Sequence, residues 1–150
     1  MKRILLLLML FVAVAATAQT ALPIRWRLAV KMTSETEGVA TVKALVGEGW
    51  HLYGFEMPED GPRATTITFD NSTDVEVAGP VKPSAEPLKV FDPMFETEVQ
   101  WWAETVSFEV PIRITGEAPE LKVSVAYMGC DNTTCLPPKT ETLVYKSFKK

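Results

Sequence analysis

Apolar and polar residues alternate with a period of two in several stretches of the chain, as expected of strands with one face in a core and one in solvent. Ile24, Trp26, Leu28 and Val30 alternate with Arg25, Arg27, Ala29 and Lys31. Val106, Phe108, Val110, Ile112 and Ile114 alternate with Ser107, Glu109, Pro111 and Arg113, and Leu121, Val123, Val125 and Tyr127 alternate with Lys122, Ser124 and Ala126. Shorter candidate strands are 39–45, 50–53, 65–69, 75–77, 98–102 and 142–146. Between them stand turn-forming clusters: Gly47-Glu48-Gly49, Pro58-Glu59-Asp60-Gly61-Pro62, Asp70-Asn71-Ser72 and Gly116-Glu117-Ala118-Pro119. No window repeats at 3.6 residues, and 11 prolines with 8 glycines leave no room for a long helix. About eight short strands at this spacing predict an all-β chain, an antiparallel sandwich of immunoglobulin-like type.

Two positions strain that pattern. Pro111 cannot donate to a ladder, so its strand is expected at an edge or at a bulge. Residues 79–94 contain Pro80, Pro83, Pro87 and Pro93 and read as a long surface loop, a kind of segment that is often functional.

The first residues are expected to lie outside the fold. Met1-Lys2-Arg3 is basic, 4–16 is almost wholly apolar, and Ala16-Thr17-Ala18 is a small-x-small cleavage pattern. Residues 1–18 are therefore expected to be a secretory signal peptide, with the mature domain at 19–150. The apolar run is shorter than the about 20 residues a membrane span needs, so no span is expected in the mature chain. Loss of Lys2 and Arg3, with no acid, takes the formal charge from −4 to −6. An acidic chain with scattered basic residues lacks the electrostatic footprint for nucleic acid.

Export brings the two cysteines, Cys130 and Cys135, into a compartment where thiols can be oxidised. They flank Asp131-Asn132-Thr133-Thr134, whose turn-forming residues allow the chain to reverse and the sulfurs to meet. Three readings follow. A structural staple is one, yet a bridge closing about six residues supplies only about 2 kcal/mol in the chain-entropy model. A redox pair is the second, because a short bridge at a strand end is easily reached by a partner protein. Metal binding is the third. His51 is the only histidine, so a zinc set is not expected, although both thiols with Met128 or Met94 would suit copper(I).

Tyr127-Met128-Gly129-Cys130, four residues, then Cys135-Leu136-Pro137-Pro138-Lys139-Thr140 resembles the Y-x-G-C…C-x-P-P-x-T signature of the N-terminal domain of DsbD, the thiol:disulfide interchange protein. Gly49-Trp50-His51-Leu52-Tyr53 is similar to that family's glycine-aromatic-x-x-Tyr strand. Phe91-Asp92-Pro93-Met94-Phe95 followed by Glu98-Val99 is similar to its cap loop. The resemblance spans essentially the whole mature chain. It implies an immunoglobulin-like electron shuttle in the periplasm that needs no cofactor. Its cysteine pair would take electrons from a thioredoxin-like donor and pass them to oxidised envelope proteins. The family's fusion to further domains is not expected here, so the donor would be another chain. One departure is the spacing, since the best-studied members carry five residues between the cysteines.

By the same resemblance, Cys135 carries the mixed disulfide with the partner and Cys130 resolves it. Met94 and Phe95 fall where the family's loop shields the sulfurs, against the plainer reading of loop anchors. Tyr53 and His51, two apart, share one strand face; the resemblance makes Tyr53 a wall of the site and sets His51 beside it. Trp26, Trp50, Trp101 and Trp102 are expected to pack in the core and between strands. The sequons at Asn71 and Asn132 carry little meaning in a bacterial envelope. The reading that competes with the shuttle is a non-catalytic immunoglobulin-like binding module with a hairpin disulfide.

Overall fold

The computed structural model describes residues 22–148; the expected signal segment, 1–18, lies outside them. Twelve strands and no helix make up the described residues, and all their pairings are antiparallel. One sheet runs β1 (Ile24–Met32), β2 (Glu37–Val46), β9 (Val106–Ile114) and β5 (Val75–Val77), with β6 (Lys82–Pro83) also on β9. A second consists of β12 (Lys139–Tyr145), β10 (Leu121–Tyr127) and β4 (Thr66–Thr68). A third joins β11 (Gly129–Cys130), β3 (His51–Tyr53), β8 (Thr97–Trp102) and β7 (Leu88–Asp92).

The alternation read from the chain sorts residues into this core. Ile24 and Trp26 of β1, Val106, Phe108, Val110 and Ile112 of β9, and Leu121, Val123, Val125 and Tyr127 of β10 are all buried together. β2 contributes the small residues Ala40, Val42 and Ala44, and that economy of volume makes room for rings opposite. Trp26 stacks on Phe108 at 6.1 Å and meets Tyr127 edge-on at 5.3 Å. Each such fully buried side chain contributes about 1.5–3 kcal/mol over leaving it exposed.

The two strained positions resolve differently. β9 is not an edge strand: β2 lies on one side, and β5 and β6 share the other. Pro111 pairs with Val39 of β2, and its carbonyl accepts the Ala78 N–H on the β5 side. The N and O of a strand residue point the same way, so the missing donor falls in the break between β5 and β6. Gly79 lines that break, since a Cβ there would lie 2.7 Å from Pro111 Cγ. Residues 79–94, expected as a loop, hold β6 and β7 instead. β7 pairs with β8 from Leu88↔Trp101 to Asp92↔Thr97, and the prolines flank it rather than interrupt it.

The third sheet has two apolar faces. Directly paired residues share a face, so Leu52, Trp102 and Gly129 point one way and His51, Tyr53, Trp101, Val90, Val99, Asp92 and Cys130 the other. Leu52 and Trp102 join the main core. Gly129 on the same face allows Ile24 to approach, because any Cβ would collide with Ile24 Cδ1. That contact explains the glycine of the cysteine segment.

Candidate functional site at the Cys130–Cys135 pair

Cys130 ends β11 opposite His51, and the chain turns back at once so that Cys130 and Cys135 bridge each other and are disulfide-bonded. Hydrogen bonds that do not involve sulfur set this turn. The Asp131 N–H donates to the Thr134 carbonyl, and the Leu136 N–H to the Gly129 carbonyl, both at 2.9 Å. Asp131 Oδ1 accepts the N–H groups of Thr133 at 2.8 Å and Thr134 at 2.6 Å. Those amides, Thr133's first, hold the Asp131 carboxyl below the ordinary range. Asp131 is thus the keystone of the turn.

The sulfurs are unequal in access. Cys130 is fully buried, while Cys135 is half-buried at the rim. A second apolar cluster surrounds them: Tyr53, Val99 and Cys130 inside, with Met57, Val90, Phe95, Trp101, Met128 and Cys135 packed around.

Tyr53 lies at the centre of this cluster. Its hydroxyl donates to Asp92 Oδ2 at 2.6 Å, and the same oxygen sits 3.2 Å from Cys130 Sγ and 3.4 Å from His51 Nε2. The phenol has one hydrogen, and the shorter, charge-assisted bond to the carboxylate takes it. Burial, then the Asp92 bond, pushes the Tyr53 hydroxyl far above its ordinary range. His51 stacks on Trp101 with centroids 3.8 Å apart, and burial pulls its imidazole below the usual 6.5 despite opposition from Asp92 and Asp131. His51 is therefore neutral at pH 7.

The cap is a hairpin turn rather than a loose loop. Asp92 and Thr97 pair across it, and Asp92 Oδ1 accepts the Met94 N–H at 2.8 Å. Glu96 adopts a left-handed φ of 54° at its far corner. Met94, 46% exposed, brings its Sδ to 3.7 Å from Cys135 Sγ, and Phe95 meets Tyr53 edge-on at 6.0 Å.

All six residues singled out in the sequence, Cys130, Cys135, Met94, Phe95, Tyr53 and His51, lie in this one cluster or in contact with it. Sequence reasoning missed Asp92 and Trp101. Asp92 shares its strand face with Leu88 and Val90, a period-two signal hidden by reading 79–94 as a loop. Trp101 was grouped with packing tryptophans, yet it faces His51, while Trp102 on the opposite face belongs to the core.

Fold and site define a class, an immunoglobulin-like sandwich bearing a short-loop cysteine pair under a cap hairpin. The chain belongs to the family described as thiol:disulfide interchange protein DsbD, N-terminal, whose model matches residues 18–147. Among solved structures it is similar to the DsbD N-terminal domain of Neisseria meningitidis in the reduced form, with 16% identity, 83% of this chain and 86% of that one covered, and a TM-score of 0.56. It is also similar to the N-terminal periplasmic domain of ScsB from Proteus mirabilis, with 15% identity, 82% of this chain and 46% of that one covered, and a TM-score of 0.60. At these identities the likeness is one of fold. No curated protein matches the chain.

Proposed function

We propose that this chain is a thiol–disulfide shuttle of the periplasm, delivered there by a signal peptide at residues 1–18. It takes electrons from a thioredoxin-like donor and hands them to oxidised envelope proteins. The observation that carries the reading is the asymmetry of the pair, with Cys130 fully buried and Cys135 half-buried beneath a hairpin cap.

Exchange proceeds by attack of a thiolate along the sulfur–sulfur axis, and the attacked sulfur must be accessible. A donor thiolate attacks Cys135 Sγ, forming a donor–Cys135 mixed disulfide and expelling Cys130 as thiolate. Tyr53 Oη at 3.2 Å is the hydroxyl beside that leaving sulfur. The donor's second thiolate then attacks its own mixed disulfide, leaving an oxidised donor and a Cys130/Cys135 dithiol. In the outward half, the Cys135 thiolate attacks an acceptor disulfide, and Cys130 resolves the adduct. Two electrons move in each half. Met94 and Phe95 shield Cys135 until a partner displaces the hairpin.

Trapping tests the order of attack. Cys130→Ala, activated at Cys135 as a mixed disulfide with a small thiol, should accumulate a covalent complex with a thioredoxin-like protein whose second cysteine is replaced, because no thiol then remains on either side to resolve it; Cys135→Ala treated in the same way should accumulate little. Trapping through Cys130 alone would reverse the assignment. If neither variant traps a partner and the pair's reduction potential lies below about −300 mV, as structural disulfides do, the bridge is a staple and the shuttle fails.

A further inference from the structure

The cap hairpin presents a third sulfur to the pair. Met94 Sδ lies 3.7 Å from Cys135 Sγ, which is bonded to Cys130 Sγ. Its position is set rather than incidental. Asp92, only 2% exposed, uses one carboxylate oxygen to hold the Met94 N–H at 2.8 Å and the other to hold Tyr53. Three sulfurs of two residue types therefore gather at one apolar rim walled by Phe95, Val90 and Met128.

We propose that the reduced pair and Met94 form a three-sulfur site for copper(I). Thiolate and thioether are soft ligands that select this ion over hard cations. Metal–sulfur bonds of about 2.3 Å place three sulfurs around a trigonal centre about 4 Å apart, close to the 3.7 Å already present between Met94 and Cys135. Zinc(II) would need a fourth donor. Among the described residues no group of three or more His, Cys, Asp or Glu could hold a metal, and His51 Nε2 faces the Tyr53 hydroxyl.

Loading needs no change in the metal's oxidation state. The disulfide first takes up two electrons and two protons from a dithiol protein or, in a test tube, from a phosphine that ends as its oxide. Copper(I) then displaces the thiol protons, which pass to solvent. The site rests on the proposed function only in needing a dithiol, and a chemical reductant supplies that without any partner protein. Failure of the trapping experiment would leave copper binding untouched, and failure of copper binding would leave the shuttle untouched.

The test is an anaerobic titration of the phosphine-reduced full chain with copper(I) against a chromogenic copper(I) chelator. One ion per chain is expected, with three sulfurs in its X-ray absorption spectrum. Metal sites lose about 10–100-fold in affinity when even a supporting residue is removed. Met94→Leu should reach that range and leave two sulfurs in the spectrum, whereas Met32→Leu, at the far end of β1, should bind as the parent does. Equal affinity in Met94→Leu, one ion shared by two chains, or zinc(II) displacing copper(I) on equal terms would each overturn the proposal. The sulfur count of the unaltered chain decides the matter even if a variant folds poorly.

Discussion

The two faces of the β11–β3–β8–β7 sheet make opposite use of burial. On one, Leu52 and Trp102 enter a core of aliphatic and aromatic side chains, and the Trp102 indole N–H is satisfied by the Ala85 carbonyl at 2.8 Å. On the other, Tyr53, Val99 and Cys130 are as deeply buried, yet polar groups crowd among them. The buried polar residues of the described chain are His51, Thr65 and Asp92, and all three touch Tyr53: His51 at its hydroxyl, Thr65 at its carbonyl at 2.6 Å, Asp92 through the phenol. Buried polar groups cost free energy unless fully paired. Their concentration beside the cysteines sets this face apart from the one that packs the main core.

Mutations on the two faces should therefore fail in different ways. The largest effect belongs to the core: Phe108→Ala, at a fully buried ring touching Trp26, Phe55 and Trp102, should cost about 3–5 kcal/mol in urea denaturation. Its disulfide should react normally in the fraction that stays folded. Next comes Tyr53→Phe, which leaves buried Asp92 Oδ2 without its partner and should cost about 1–3 kcal/mol while altering the rate of exchange with a thioredoxin-like protein. Replacing both cysteines by alanine should cost no more than about 2 kcal/mol; a loss as large as that of Phe108→Ala would make the pair a staple and erase the distinction.

Smaller effects sharpen the contrast. Phe95→Ala or Met94→Ala should speed reduction by a small reductant such as dithiothreitol, with a stability change well below that of a core aromatic. Unchanged reduction kinetics in both would remove the shielding role. The smallest is a pH effect. His51 is held neutral by burial, with its folded pKa below the unfolded 6.5, so between those two values the unfolded chain binds the extra proton. Stability should be fully present above about pH 6.5 and fall as the pH drops below it, and His51→Gln should flatten the denaturation midpoint across that window.

Much of this was legible in the chain. β1, β9 and β10 stood out because their alternation is long, and the cysteine segment because its residue types are few and ordered. What stayed hidden was short or interrupted. β7 has only five residues and lies among prolines, so composition masked a strand whose partner, β8, supplies the hydrogen bonds. Pro111 argued for an edge because a sequence does not reveal that two short strands, β5 and β6, share one neighbour and leave a gap between them. Trp101 and Trp102 are adjacent and alike, and only the register of β8 against β3 sends one to His51 and the other to the core.

The closeness of the cysteines along the chain also bears on how the protein reaches its fold. Two cysteines in the whole sequence allow a single intramolecular pairing, so oxidation cannot scramble the chain into a wrong isomer. The bond spans a separation of five residues, and closing so short a loop constrains almost nothing outside its own turn. The sandwich, in contrast, depends on pairings such as Lys43↔Ser107 that join distant parts of the chain and are slow to find. The chain can thus oxidise before, during or after collapse and arrive at the same structure. Assembly of the domain is thereby uncoupled from the redox state of the compartment in which it works.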